Sequence, residues 1–142
     1  MDFYIEHTIH AAPEAVARVM FDPAREGEWM AKAGEAEQLT PGPLGVGTQV
    51  RHKAGVHGWP INFVTEVKSY EPDRRLEMAV VGPASRGGEI IYQVAPTAGG
   101  SIATIHVRDD ERGPHPVSDW ARKQQAEENL ARLASLVTHG HA

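Results

Sequence analysis

The chain has 142 residues, of which 41% are hydrophobic and 23% charged; it carries a formal net charge of −5 and no cysteine. That length suits one domain, 1–142, able to bury roughly two thirds of its unfolded surface. The acidic balance argues against nucleic acid as a partner, and the missing cysteines exclude disulfides, thiolate zinc sites and cysteine nucleophiles. No apolar run approaches the ~20 residues that span a bilayer. The opening MDFYIEHTIH alternates rather than running apolar as a signal peptide does. A cytoplasmic protein with no stable membrane insertion is expected.

Residues 2 to 10 read as a strand, with Phe3, Ile5, His7 and Ile9 on its more apolar face. Pro13 and Glu14 then open a helix, proline being tolerated at the first position and glutamate favoured by the dipole. Val16, Val19 and Met20 give it a short apolar stripe. Asp22-Pro23 restarts the pattern, which predicts a second short helix through Trp29 and Met30, weakened by Gly27. A short strand over 35 to 39 precedes GPLGVGTQV at 42 to 50.

Five further strands are expected, at 47–56, 60–70, 74–81, 88–95 and 101–109. The breaks between them carry turn chemistry: His57-Gly58, Glu71-Pro72-Asp73, Gly82-Pro83 with Gly87-Gly88, and Pro96 to Gly100. Closely spaced strands of this kind form an antiparallel meander. From Pro116 the period changes. Ala126, Leu130, Leu133 and Val137 make one stripe on a long helix over about 116 to 137, with Arg122, Lys123, Glu127 and Glu128 on its wet side. The segment from Arg108 to Pro116 between sheet and helix is charged and rich in turn residues, and is expected to be a solvated loop. The fold class is therefore α+β, an antiparallel sheet covered by a long amphipathic helix.

Five stretches together resemble the helix-grip superfamily, which includes START lipid-transfer domains, polyketide cyclases and dehydratases, and birch-pollen-allergen-like proteins. They are HTIHAAPEAVARVMFDPAREGEWM at 7 to 30, LTPGPLGVGTQVRH at 39 to 52, EVKSYEPDRRLEM at 66 to 78, YQVAPTAGGSIATIHV at 92 to 107, and the C-terminal helix. The bacterial cyclase/dehydratase-like branch is the nearest. The resemblance implies a helix-grip fold: a curved antiparallel sheet wrapped around the long helix, two short helices after the first strand, and a hydrophobic-ligand pocket between helix and sheet. It implies no fixed catalytic residues and no cofactor. It also places the loop from Gly42 to Gly47 at the cavity mouth. The residues agree that this is no nucleotide loop, since no Gly-Lys-Ser/Thr follows and the loop leads into a strand. Gly45 and Gly47 are expected to serve turn dihedrals or close backbone approach.

The candidate chemistry lies with the histidines and their strand partners. His7 shares its parity with Phe3 and Ile5, His52 with Val50 and Val56, and His106 with Ile102 and Thr104. The sequence leaves open which parity of that last strand faces inward. A histidine on a cavity wall acts as acid or base near neutral pH, although each is more often a surface or satisfied core residue. Tyr92 offers a hydroxyl to a bound oxygen or packs as an amphipathic ring. Glu89, across the strand, is the carboxylate considered for orienting a histidine. His7, His52, Tyr92 and Glu89 are thus the catalytic candidates. Trp59, in a hairpin turn, His106, and Trp120, opening the long helix, are the ligand-contact candidates; Trp29 is expected to pack. His7 and His10 point to opposite faces of one strand, His139 and His141 sit in a short tail, and no His-Glu-x-x-His occurs, so no metal site is expected. The expected partner is a hydrophobic or aromatic small molecule, handled by a cyclase/dehydratase-like enzyme. A carrier without turnover and an interaction module with a filled cavity are the alternatives. An open sheet edge would permit a homodimer.

Overall fold

Alternating apolar residues become seven antiparallel strands: β1 (Asp2–Ile9), β2 (Glu35–Gln38), β3 (Gln49–Val56), β4 (Trp59–Glu71), β5 (Arg75–Gly82), β6 (Glu89–Thr97) and β7 (Gly100–Arg108). They form one curved sheet in the order β1-β7-β6-β5-β4-β3-β2. The computed structural model describes residues 2–30, 35–56, 59–82, 88–108 and 119–139; at 54–56, 59–61 and 119 it describes the backbone alone. The expected turn at His57-Gly58, most of the Gly82–Gly88 loop, the charged linker over 109–118 and the tail from Gly140 lie outside the described residues.

Parity decides the core. Cross-strand pairs Ile5↔Ile105, Tyr92↔Ile105, Leu76↔Tyr92 and Val94↔Ala103 place these side chains on one face, and all of them are buried. Ala103, Ile105 and Val107 are therefore the inward residues of β7, and His106 points the other way, paired with the exposed Tyr4.

Between β1 and β2 the chain forms α1 (Pro13–Met20), a 3-10 turn (Pro23–Arg25) and the single-turn helix α2 (Glu26–Trp29). Pro13 opens α1. Asp22 caps the 3-10 turn by accepting from the Ala24 amide. The expected second helix is thus two short turns. Arg25 grips Glu28 through two 2.8 Å bonds, and Glu26 and Trp29, three apart on one helix face, both turn inward.

In the glycine-rich loop the left-handed residues are Gly42 (φ 97°) and Gly47 (φ 93°); Gly45, expected in that role, is not left-handed. The Gly47 amide donates to the Val67 carbonyl and the Val67 amide to that of Thr48, each at 2.9 Å. The Gly45 amide donates to the Thr48 hydroxyl. The Gly47 amide is thus spent on β4 and the Gly45 amide on Thr48, and the loop is a tight entry into the sheet.

The long helix α3 (Asp119–His139) crosses the concave face and packs against β1, α1 and α2. Its C-terminal half seals the core with Leu130 and Leu133, both fully buried. Its N-terminal half is different. There Gln125 and Asn129 are buried, and Arg122, expected on the wet side, faces the space between helix and sheet. This is a helix-grip fold.

Candidate functional site

Where α3 turns a polar face to the sheet, the core is hollow. A partly open cavity of about 180 Å³ lies between α3, α2 and strands β1, β3, β4, β6 and β7. Phe3, Phe63, Ile90, Ile105 and Val107 form its apolar sheet wall, with Met30 and Ala126 opposite. Glu26, His52 and Tyr92 also line it, and Gln125 and Asn129 reach in from the helix.

The strand pairing explains how His52 is set. It stands opposite Phe63 across β3 and β4, and the two rings stack with centroids 4.8 Å apart and planes 15° apart. His52 Nδ1 lies 2.8 Å from Glu26 Oε2 and Nε2 lies 2.9 Å from Thr65 Oγ1. A carboxylate accepts, so Nδ1–H is the donor to Glu26 and Nε2 is left for the Thr65 hydroxyl. All three side chains are buried. Thr65 also approaches Met78 Sδ at 3.8 Å. It lines neither of the two spaces beside His52, and its hydroxyl holds one edge of the imidazole.

Tyr92 stands beside this pair. Its ring meets that of Trp29 edge-on at 5.7 Å, and Trp29 is wholly buried. Burial first, and the Glu26 charge second, push the Tyr92 phenol well above its ordinary range, so it stays protonated. Among the described residues neither the Tyr92 hydroxyl nor the second carboxylate oxygen of Glu26 has a hydrogen-bond partner. Neither atom is sealed off, unlike the unpartnered Trp29 Nε1 and Thr104 Oγ1. Behind the three residues is a space of about 10 Å³, lined also by Leu44 of the glycine-rich loop, with room for a single water.

The structure brings His52 and Tyr92 together and puts His7, Glu89, His106 and Trp120 elsewhere. His7 is on the concave face but lines a separate, more polar groove with Glu6, Lys123 and Glu127, and its Nδ1 bonds the Thr8 carbonyl at 2.8 Å. Glu89 lies on the far face of β6, paired with Arg108. His106 shares that outer face and bonds Asp2 at 2.8 Å. Trp120 is 68% exposed and lies on none of the cavity's walls. The Trp59 side chain lies outside the described residues. The carboxylate beside the histidine is thus Glu26, which sequence reasoning did not single out. Its signal was the three-residue spacing to Trp29, a ring expected to pack. Among the described residues no group of three or more His, Asp or Glu side chains is set to hold a metal ion, and no helix is long and apolar enough to cross a membrane.

A family model described as polyketide cyclase / dehydrase and lipid transport matches residues 2–138. The chain belongs to this family. No curated protein matches it significantly. Solved structures carry the same fold at low identity. Protein CV1439 from Chromobacterium violaceum aligns with a TM-score of 0.74 at 18% identity, covering 96% of this chain and 97% of that one. The Aha1 dimer from Colwellia psychrerythraea gives 0.70 at 15%, covering 100% and 99%. Ara h 8.0201 gives 0.69 at 16%, covering 96% and 97%. The Glu26–His52–Thr65 chain and the polar stripe of α3 belong to this member of the cyclase/dehydrase and lipid transport family through its own residues.

Proposed function

We propose that this cyclase/dehydrase-family member binds a compact hydrophobic small molecule between α3 and the sheet and moves a proton on it. The observation that carries this is the buried Glu26–His52 pair, 2.8 Å apart, opening on a largely apolar cavity beside a protonated tyrosine. Size supports a small ligand. An engineered apolar cavity of about 150 Å³ accepts benzene, so a cavity of about 180 Å³ suits one ring. Drug-sized pockets run from about 300 Å³ upward, and a two-chain lipid needs more still. Of the activities in the family description, compact-substrate chemistry therefore fits better than lipid carriage.

In this site Tyr92 holds an oxygen of the substrate by donating to it. Glu26, oriented by His52, takes or returns a proton, and the imidazole spreads the resulting charge. The apolar wall fixes the substrate's conformation, which is what ring closure or elimination of water requires. The residues supply these steps without a cofactor. The mostly apolar lining favours one further reading, a carrier without turnover. The edge strands β1 and β2 leave backbone groups for a second copy, and the Aha1 neighbour is itself described as a dimer.

Native mass spectrometry of freshly purified protein, with identification of anything released on denaturation, tests the binding. A stoichiometric apolar passenger is expected. If no passenger appears and no single-ring aromatic shifts the melting temperature, the proposal fails. Turnover then separates enzyme from carrier: in the enzyme Glu26→Gln lowers kcat by about 10²–10⁴-fold, whereas a carrier shows no product with either form.

A further inference from the structure

The two unpartnered oxygens in the cavity differ in what they require. The Tyr92 hydroxyl, on the cavity wall, is a donor without an acceptor among the described residues. The remaining oxygen of Glu26 is an acceptor in want of a donor. Tyr92 is 5% exposed and Glu26 6% exposed, and both line the same cavity. A buried polar group left without a partner is costly, so the ligand that fits best satisfies both.

Few functional groups do so. A ketone or ether only accepts, which serves Tyr92 and leaves Glu26 unmatched. An ammonium only donates, which serves Glu26 and leaves Tyr92 unmatched. A carboxylate has no proton to give Glu26 and sets a second negative charge beside it, although the Arg122 guanidinium lines the same cavity. A hydroxyl accepts from Tyr92 and donates to Glu26. One on an sp2 carbon is the better donor, and its bond to a carboxylate is charge-assisted. The rest of the cavity selects for shape: Phe3 and Phe63 offer ring faces and edges to a flat molecule, and the volume holds one ring.

We propose that the ligand is a neutral, planar, single-ring molecule bearing a phenolic or enolic hydroxyl, held by that group between the Tyr92 hydroxyl and the free oxygen of Glu26. The assignment rests on the cavity being the binding site and adds the chemical class of what enters it. It also separates two roles. Tyr92 and Glu26 touch the ligand hydroxyl, and His52 positions Glu26.

Phenol, anisole, acetophenone and benzoate, matched in ring size, are titrated into the folded protein and followed by NMR chemical-shift changes. Phenol is expected to bind at least about tenfold more tightly than anisole or benzoate, the difference a charge-assisted hydrogen bond supplies. Glu26→Gln keeps an oxygen for His52 Nδ1 and turns an amide donor toward the ligand. It is expected to reverse the order, so that acetophenone gains on phenol. Tyr92→Phe is expected to weaken phenol, anisole and acetophenone alike, since each accepts from the Tyr92 hydroxyl. Equal affinity of the wild type for phenol and anisole overturns the hydroxyl assignment while leaving the cavity a binding site. Binding of none of the four overturns the binding site itself. A preference for phenol that survives both substitutions places its hydroxyl elsewhere and overturns the proposal. The wild-type comparison stands even if a variant fails to fold.

Discussion

Thr65 exposes no surface and stands 2.9 Å from His52 Nε2. Hydroxyl, imidazole and carboxylate follow in the order of a nucleophile, base and orienting acid, yet the hydroxyl faces protein on every side. Its work is to fix one edge of the ring while Glu26 fixes the other. Thr65→Val keeps the shape and removes the hydroxyl, leaving Nε2 buried without a partner. A loss of about 1–3 kcal/mol is expected in urea unfolding, and Thr65→Ser, which keeps the hydroxyl, should lose less. A neutral Thr65→Val would show that the bond contributes nothing. Tyr92 gives a prediction at alkaline pH. Its folded-state pKa is raised, by burial first and by Glu26 second, so the native state holds the phenolic proton more tightly than the unfolded chain. The associated stability is fully present below about pH 10, where an unfolded tyrosine ionises. It falls as pH rises from there toward the folded-state value. Unfolding free energy should therefore drop steeply above that pH, and Tyr92→Phe should flatten the drop. At this scale His52 and Tyr92 were legible because each shares a strand parity with apolar neighbours. Glu26 was harder to see: it lies 26 residues from His52, on a helix of one turn too short to show a period.

Elements divide in the same way between what a period reveals and what it hides. The strand pattern was legible throughout, down to the brief β2, because inward and outward residues alternate under one geometric rule. The long stripe of α3 was legible for Leu130 and Leu133. Its cavity face was not, because Arg122, Gln125 and Asn129 are polar and a polar residue on a helix reads as solvent-facing until the sheet beneath is known to be hollow. The outward face of β7 was likewise fixed only by pairing with β1. Turns are legible where glycine is obligatory. Gly100 enters β7 at φ 149°, and a Cβ there would lie 2.3 Å from the Ile9 carbonyl oxygen and 2.8 Å from the Ala11 nitrogen. The backbone of β1 thus passes too close for any side chain. Gly100→Ala should cost more than about 1 kcal/mol and lower the melting temperature. Gly45→Ala is the contrast, with open space around the new methyl and no left-handed φ. It should be neutral or stabilise by up to about 1 kcal/mol through the unfolded chain. Equal effects at the two sites would mean that the close approach of β1 is not what holds Gly100.

For the molecule as a whole the hollow under α3 is a trade of stability against binding. Protein interiors pack densely, and a space of about 180 Å³ gives up contacts that side chains could make. A filled core of the same fold would be the sturdier and would bind nothing. Ala126 sits on the helix side of the cavity, at a position where leucine costs little in helix propensity. Ala126→Leu sends an isobutyl group into the space and should raise stability by about 0.5–2 kcal/mol. The same group takes the room of the ring. In the wild type a ligand present at a hundred times its Kd adds about 2.7 kcal/mol, seen as a rise in melting temperature. In Ala126→Leu that rise should vanish while the ligand-free melting point goes up. A variant that melts higher and still responds to phenol would locate binding outside this cavity. One that melts lower and loses the response would show a site already shaped to its ligand, with the empty state held open by the polar stripe of α3 and not by lack of side chains to fill it.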